Sequence, residues 1–125
     1  FNGNLTVVGG TVTTTDATVT TLITIPITDE SGTGIEIRVV GHRTGGTAGT
    51  AGDSAFYQKS ALFKRTGGGN AAQVGSTYTN MEGESQTAWN CAMNLSTTNV
   101  VVQVTGAANN NITWEGTVII HKVTT

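Results

Sequence analysis

Apolar and polar residues alternate along most of this chain with a period of two, the spacing of a strand with one face buried. The strongest case lies near the C-terminus, where Val100–Thr105 and Ile112–Val123 are both rich in β-branched residues. The link between them, Gly106-Ala-Ala-Asn-Asn-Asn111, is made of residues that tolerate tight or left-handed turns, so the pair predicts a hairpin. Ile35–Arg43 alternates as cleanly, with Ile35, Ile37 and Val39 on one face and Glu36, Arg38, Val40 and His42 on the other. In the Trp89–Leu95 run, Trp89, Cys91, Met93 and Leu95 share a face and are read as core, as are Trp114, Val118 and Ile120.

Further strands are expected at Leu5–Val8, ended by Gly9-Gly10, at Thr11–Thr15, and at Val19–Pro26, whose proline suits an edge. Ala55–Arg65 carries Tyr57, Ala61 and Phe63 on one parity and Phe56 and Leu62 on the other. Neither parity is polar, which predicts cover on both faces, by neighbouring copies if not by the chain itself. A weaker strand follows at Ala71–Tyr78. Turns are expected at Asp29–Gly34, Thr66–Asn70 and Ser96–Asn99, and longer loops at Thr44–Ser54 and Thr79–Ala88. No window shows sustained helical periodicity with caps. About seven to eight short strands, spaced by turn chemistry, predict an all-β, antiparallel β-sandwich, jelly-roll-like in style.

Length and composition narrow this picture. The 125 residues make a single domain, 1–125, large enough to bury a core. Charged residues are 11% of the chain against roughly 25% in average proteins, so the surface is polar but nearly uncharged. A net charge of −2 offers no basic footprint for nucleic acid. No apolar run approaches the roughly 20 residues of a membrane-spanning helix. The single cysteine, Cys91, excludes an internal disulfide and a cysteine-based metal site, and reads as an inert core thiol. The chain opens Phe-Asn-Gly-Asn, as expected of a trimmed or cleaved product or of the tail of a longer polypeptide.

Candidate chemistry is sparse. Glu82 and Glu84 would suit a glycosidase pair or calcium ligands, but no calcium-loop spacing accompanies them. His42 and His121 are too few for a histidine metal site, and the glycine-rich Gly45–Gly52 stretch lacks the Gly-Lys-Ser/Thr of a phosphate loop. Gly-x-Ser-x-Gly is absent. These absences predict a non-enzyme that needs no cofactor. Arg38, His42 and Arg43 with Lys59, Lys64 and Arg65 form the one basic concentration, and Tyr78 is the aromatic placed best for exposure. Arg38, His42, Arg43, Lys59, Arg65 and Tyr78 are therefore the candidate partner- or receptor-binding residues, weighed against ordinary edge-strand charge.

Several stretches also resemble a known class. They are Thr11–Ile27, Arg38-Val-Val-Gly-His-Arg-Thr-Gly-Gly-Thr47, Ser54–Arg65, Ala88-Trp-Asn90, Val104-Thr-Gly-Ala-Ala108 and Ile112-Thr-Trp-Glu-Gly-Thr-Val118. Together they resemble virion structural modules of tailed bacteriophages and prophages, of the kind found at the C-terminal end of tail-fibre-like polypeptides. The resemblance implies a virion-borne β-sandwich without a catalytic motif. Its implied partners are copies of itself, often as a homotrimer, other virion proteins, and a host surface glycan or receptor. It leaves open a fibre or tail-tip module for host attachment and, as an alternative, a capsid decoration, cement, tube or filament subunit. Gly41-His42 before Arg43, and the longer Gly/Thr/Ala loop after it, depart from the pattern and would alter the surface at that end.

Overall fold

The computed structural model describes residues 4–125; residues 1–3, ahead of the strand expected at Leu5–Val8, lie outside it. All of the regular structure among the described residues is strand: β1 (Leu5–Thr14), β2 (Thr20–Pro26), β3 (Ser31–Gly46), β4 (Ser54–Arg65), β5 (Ala72–Glu84), β6 (Asn90–Ser96), β7 (Asn99–Thr105) and β8 (Asn110–Thr124). They form two antiparallel sheets, a five-stranded one in the order β1-β8-β3-β4-β5 and a three-stranded one in the order β2-β7-β6. The sheets pack as the predicted sandwich. The β1-β8-β3 and β2-β7 orders are those of a jelly roll, whereas β4 and β5 stay beside β3 instead of crossing over.

The core is the set of inward side chains that the alternation picks out. Ile35, Ile37 and Val39 of β3, Cys91 and Met93 of β6, and Ile112, Trp114 and Val118 of β8 are buried, as are Trp89, Tyr57 and Phe63. Trp114 is central: its ring meets Tyr57 at 6.5 Å, stacked, and Trp89 at 5.6 Å, edge-on. Its Nε1–H donates to the buried Thr14 Oγ1 at 2.9 Å. The Trp89 Nε1–H has no partner among the described residues, so that ring contributes by packing alone. Three glycines make room for this core. A Cβ on Gly41 would fall 2.5 Å from the Trp114 ring, one on Gly116 2.8 Å from Leu22, and one on Gly10 2.8 Å from Ile23.

Five expectations need correction. The C-terminal pair is not a hairpin: β7 pairs with β2 and β6, while β8 lies between β1 and β3. The link between them crosses from one sheet to the other, and Asn109 takes a left-handed φ of 61° within it. The two runs are apolar because each is a central strand, and they sit in opposite layers of the core. Gly9-Gly10 does not end a strand; β1 runs through it, with Gly10 paired to Gly116. Ser31–Gly34 belongs to β3 and not to a turn, its Ser31 and Thr33 hydroxyls being buried and hydrogen-bonded to each other at 3.1 Å. Thr79–Glu84 is strand and not loop. Leu95 is 45% exposed and outside the core, because it extends the parity of Cys91 and Met93 to the end of an edge strand. Ile120 is partly buried, packed against the core.

Cys91 is fully buried, and desolvation pushes its thiol from an ordinary 9.0 up to about 12, against an opposing pull from Lys59. Below pH 9.0 neither folded nor unfolded chain ionises it; between 9.0 and about 12 only the unfolded chain does, so its contribution to stability is lost as pH rises through that window. The native protein is expected to resist a thiol reagent at pH 8 and to label fully in denaturant. Rapid native labelling would place Cys91 at the surface.

Candidate functional site

The two sheets differ in width, and this decides where each polar side chain goes. Three strands cannot cover five, so the inner face of β4 and β5 runs out past β6. At that margin Lys59, on the inward parity with Ala55, Tyr57 and Phe63, donates from Nζ to the Cys91 carbonyl of β6 at 2.8 Å. The same amine lies 3.7 Å from Glu82 and 5.9 Å from the Tyr57 ring centroid. Next to it Tyr57 donates its phenol to Glu84 Oε2 at 2.5 Å. Burial first, then the hydrogen bond and charge of Glu84, push the Tyr57 phenol far above its ordinary range, so it remains a donor. Glu82 and Glu84 thus share the inner face of β5, and each is engaged by a β4 side chain.

Arg43 and Arg65 are also turned to their own chain. Arg43 lies at a bulge in β3 and holds the following loop, donating to the Ala48 and Gly46 carbonyls at 2.9 Å each. Arg65 donates to Gly69 O at 2.8 Å and to Ile27 O at 3.3 Å. The glycine-rich loop 47–53 is pinned: Thr47 and Ala48 N–H both donate to Asn109 O at 3.0 Å. Asp53 accepts from Thr50 N at 2.9 Å and from Gln86 Nε2 at 2.7 Å, and these bonds, the Thr50 one first, hold its carboxyl below the ordinary carboxylate range. Gln86 also donates to the buried Asn110 at 3.1 Å. This end of the sandwich is a closed polar knot. At the other end Asp29 and Glu30 accept the Gly68 and Gly67 N–H groups.

The remaining three candidates point outward from the five-stranded sheet. Arg38 pairs with Glu36 at 3.1 Å, and Gln58 of β4 donates to the same carboxylate oxygen. His42 Nδ1 lies 2.7 Å from Ser54 Oγ. Tyr78 is 66% exposed on β5. The six candidate residues are therefore not brought together: Arg38, His42 and Tyr78 share the outer face, while Lys59, Arg43 and Arg65 bond to carbonyls of their own chain. Among the described residues no group of three His, Cys, Asp or Glu side chains gathers as a metal site requires.

The outer face of the five-stranded sheet is the feature that residue-by-residue reading missed. The strand register places Val7, Ile119, Glu36, Ser60 and Tyr78 in one row across it and Leu5, His121, Gly34, Leu62 and Val74 in the next. Of ten exposed large apolar residues among the described residues, eight lie on this face: Leu5, Val7, Val40, Leu62, Val74, Tyr78, Met81 and Val123. The mixed parity of Ala55–Arg65 was the sequence signal for it. Phe56 and Leu62, the residues that spoiled a polar face, both point this way.

No family model matches the chain, and no curated protein matches it. Among solved structures it is similar to the Acinetobacter baumannii phage AM24 tailspike protein, with a TM-score of 0.60 at 9% identity, over 94% of this chain and 26% of that one. The chain thus spans about a quarter of that protein's length, and the likeness is one of fold. Two further likenesses have TM-scores of 0.41 and 0.39, at 13% identity each. They are to tailspike protein gp49 of A. baumannii bacteriophage Fri1, described as a capsular polysaccharide depolymerase, and to the tailspike protein of Acinetobacter phage vB_ApiP_P1. They cover 96% and 99% of this chain and 20% and 22% of theirs.

Proposed function

We propose that this chain is a non-enzymatic structural module of a phage particle, a fibre or tail-tip domain that assembles with copies of itself and takes part in attachment to the host surface. The observation that carries this reading is the shared fold: nearly the whole chain superimposes on a quarter of a phage tailspike protein. The sequence resemblance to virion modules points the same way from different data. In this reading the chain sits in the virion as a trimer, fixed to other particle proteins, with glycan or receptor as its outside partner. In this reading Glu82 and Glu84 are structural, Glu82 lying 3.7 Å from Lys59 and Glu84 accepting from Tyr57.

A second reading, a capsid decoration, cement, tube or filament subunit, is favoured by the breadth of the apolar outer face, which suits assembly as well as attachment. Binding of the fluorescently labelled chain to host cells separates the two. Saturable binding supports attachment; an assembled chain that gives no signal overturns it in favour of the assembly subunit. Turnover of capsular polysaccharide that is abolished in Glu82→Gln or Glu84→Gln would overturn the non-enzymatic assignment.

A further inference from the structure

We propose that the outer face of the five-stranded sheet is the surface on which a second copy of this chain docks; this rests on the reading that copies associate. The molecule supplies its own control. The outer face of the three-stranded sheet presents Thr21, Thr24, Gln103 and Asn94 around a half-buried Val101 and Ala92, with Asn94 and Gln103 hydrogen-bonded across strands at 2.9 Å. That is how a strand pair meets water. The opposite outer face, on the same low-charge chain, concentrates the exposed apolar side chains.

The glycines of β3 give an independent reason. Gly41, inward, is required by the Trp114 ring. Gly32 and Gly34 point outward, and a Cβ there would meet nothing at Gly32 and only ordinary contact, 3.9 Å, at Gly34. Neither takes a positive φ. Nothing among the described residues asks for glycine at two central strand positions, where it costs stability; close approach of another backbone is one use of a strand glycine. The two glycines floor a groove of about 470 Å³ walled by Leu62, His121 and Val123.

Charge and size fit a copy of the same chain. The face carries two acids, Glu36 and Glu115, and two bases, Arg38 and Lys64, so it meets itself without net repulsion. Five strands about 4.8 Å apart and roughly eight paired residues long give a projected face of roughly 600 Å². A standard interface buries about 800 Å² of accessible surface per partner, which a corrugated face of this projection supplies.

Sedimentation velocity of the whole chain over a concentration series tests this. The native chain is expected to associate. Gly34→Val and, separately, Val40→Lys are expected to weaken association at least about tenfold. Gln103→Lys, on the other outer face, should leave it unchanged. Because Gly34→Val fills open space with a good strand former, its thermal midpoint as a single chain should equal or exceed that of the native one. Unaltered assembly of both outer-face variants would overturn the docking face while leaving self-association intact. A native chain that stays single at every concentration would overturn both.

Discussion

Replacing Trp114 with alanine is expected to destabilise the fold by at least about 3 kcal/mol, the lower end for truncating a buried aromatic. The ring is fully buried and touches two other large aromatics of the core, Tyr57 and Trp89. Its removal opens a cavity that Tyr57, tied to Glu84, is not free to fill. It also strips the buried Thr14 hydroxyl of its donor, which adds to the cost. Domains of this size are stable by only about 5–15 kcal/mol, so the variant stands near the threshold of folding. Urea denaturation of both chains at one fixed protein concentration, so that mass-action assembly enters both alike, reads the loss as a lower midpoint with an unchanged slope. A loss below roughly 1 kcal/mol would mean that Trp114 lies on the surface, where it would be free to act as a sugar platform.

Much of the core was legible before the structure, and Trp114 shows why. It lies on a long strand with one inward parity, Ile112, Trp114, Gly116, Val118, and burial on one face writes itself into the sequence at a period of two. What alternation does not encode is the partner. β7 and β8 are both central, so their sequences say "buried" without saying in which sheet, and a short turn-like link between them looks the same whether it closes a hairpin or crosses the core. β5 was half hidden for the opposite reason. It overhangs the narrower sheet and buries almost nothing, so Thr79–Glu84 pairs with β4 through its backbone while its side chains read as loop. Lys59 reads from the sequence as a candidate binding residue because charge suggests solvent; a charged residue on an inward parity in fact marks where the opposing sheet stops. The outer face was visible only as an impurity in the pattern of Ala55–Arg65, and its extent needed the register of all five strands.

The second large effect concerns glycine. Gly41→Ala is expected to cost about 1–3 kcal/mol, the range for forcing extra volume into a packed core. The new methyl would lie 2.5 and 2.6 Å from Cζ3 and Cε3 of Trp114, well inside contact. The ring cannot retreat, because its Nε1–H is held by Thr14 and its faces and edges by Tyr57 and Trp89. Gly34→Ala on the same strand is the matched comparison: its methyl meets open space, so its expected effect is neutral or slightly stabilising. Denaturation midpoints for the pair, with near-ultraviolet circular dichroism to follow the tryptophan environment, check both. Equal costs at the two positions would contradict the assignment of one glycine to the core and the other to the outer face.

These stability tests address the scaffold; the functional reading rises or falls on where the chain sits in a particle. Electron microscopy of the source particle, labelled with antibody raised against this chain, measures that directly. The account predicts label at the tail tip or on its fibres, in a number consistent with trimers. Label distributed over the capsid, or none on the particle at all, would contradict it.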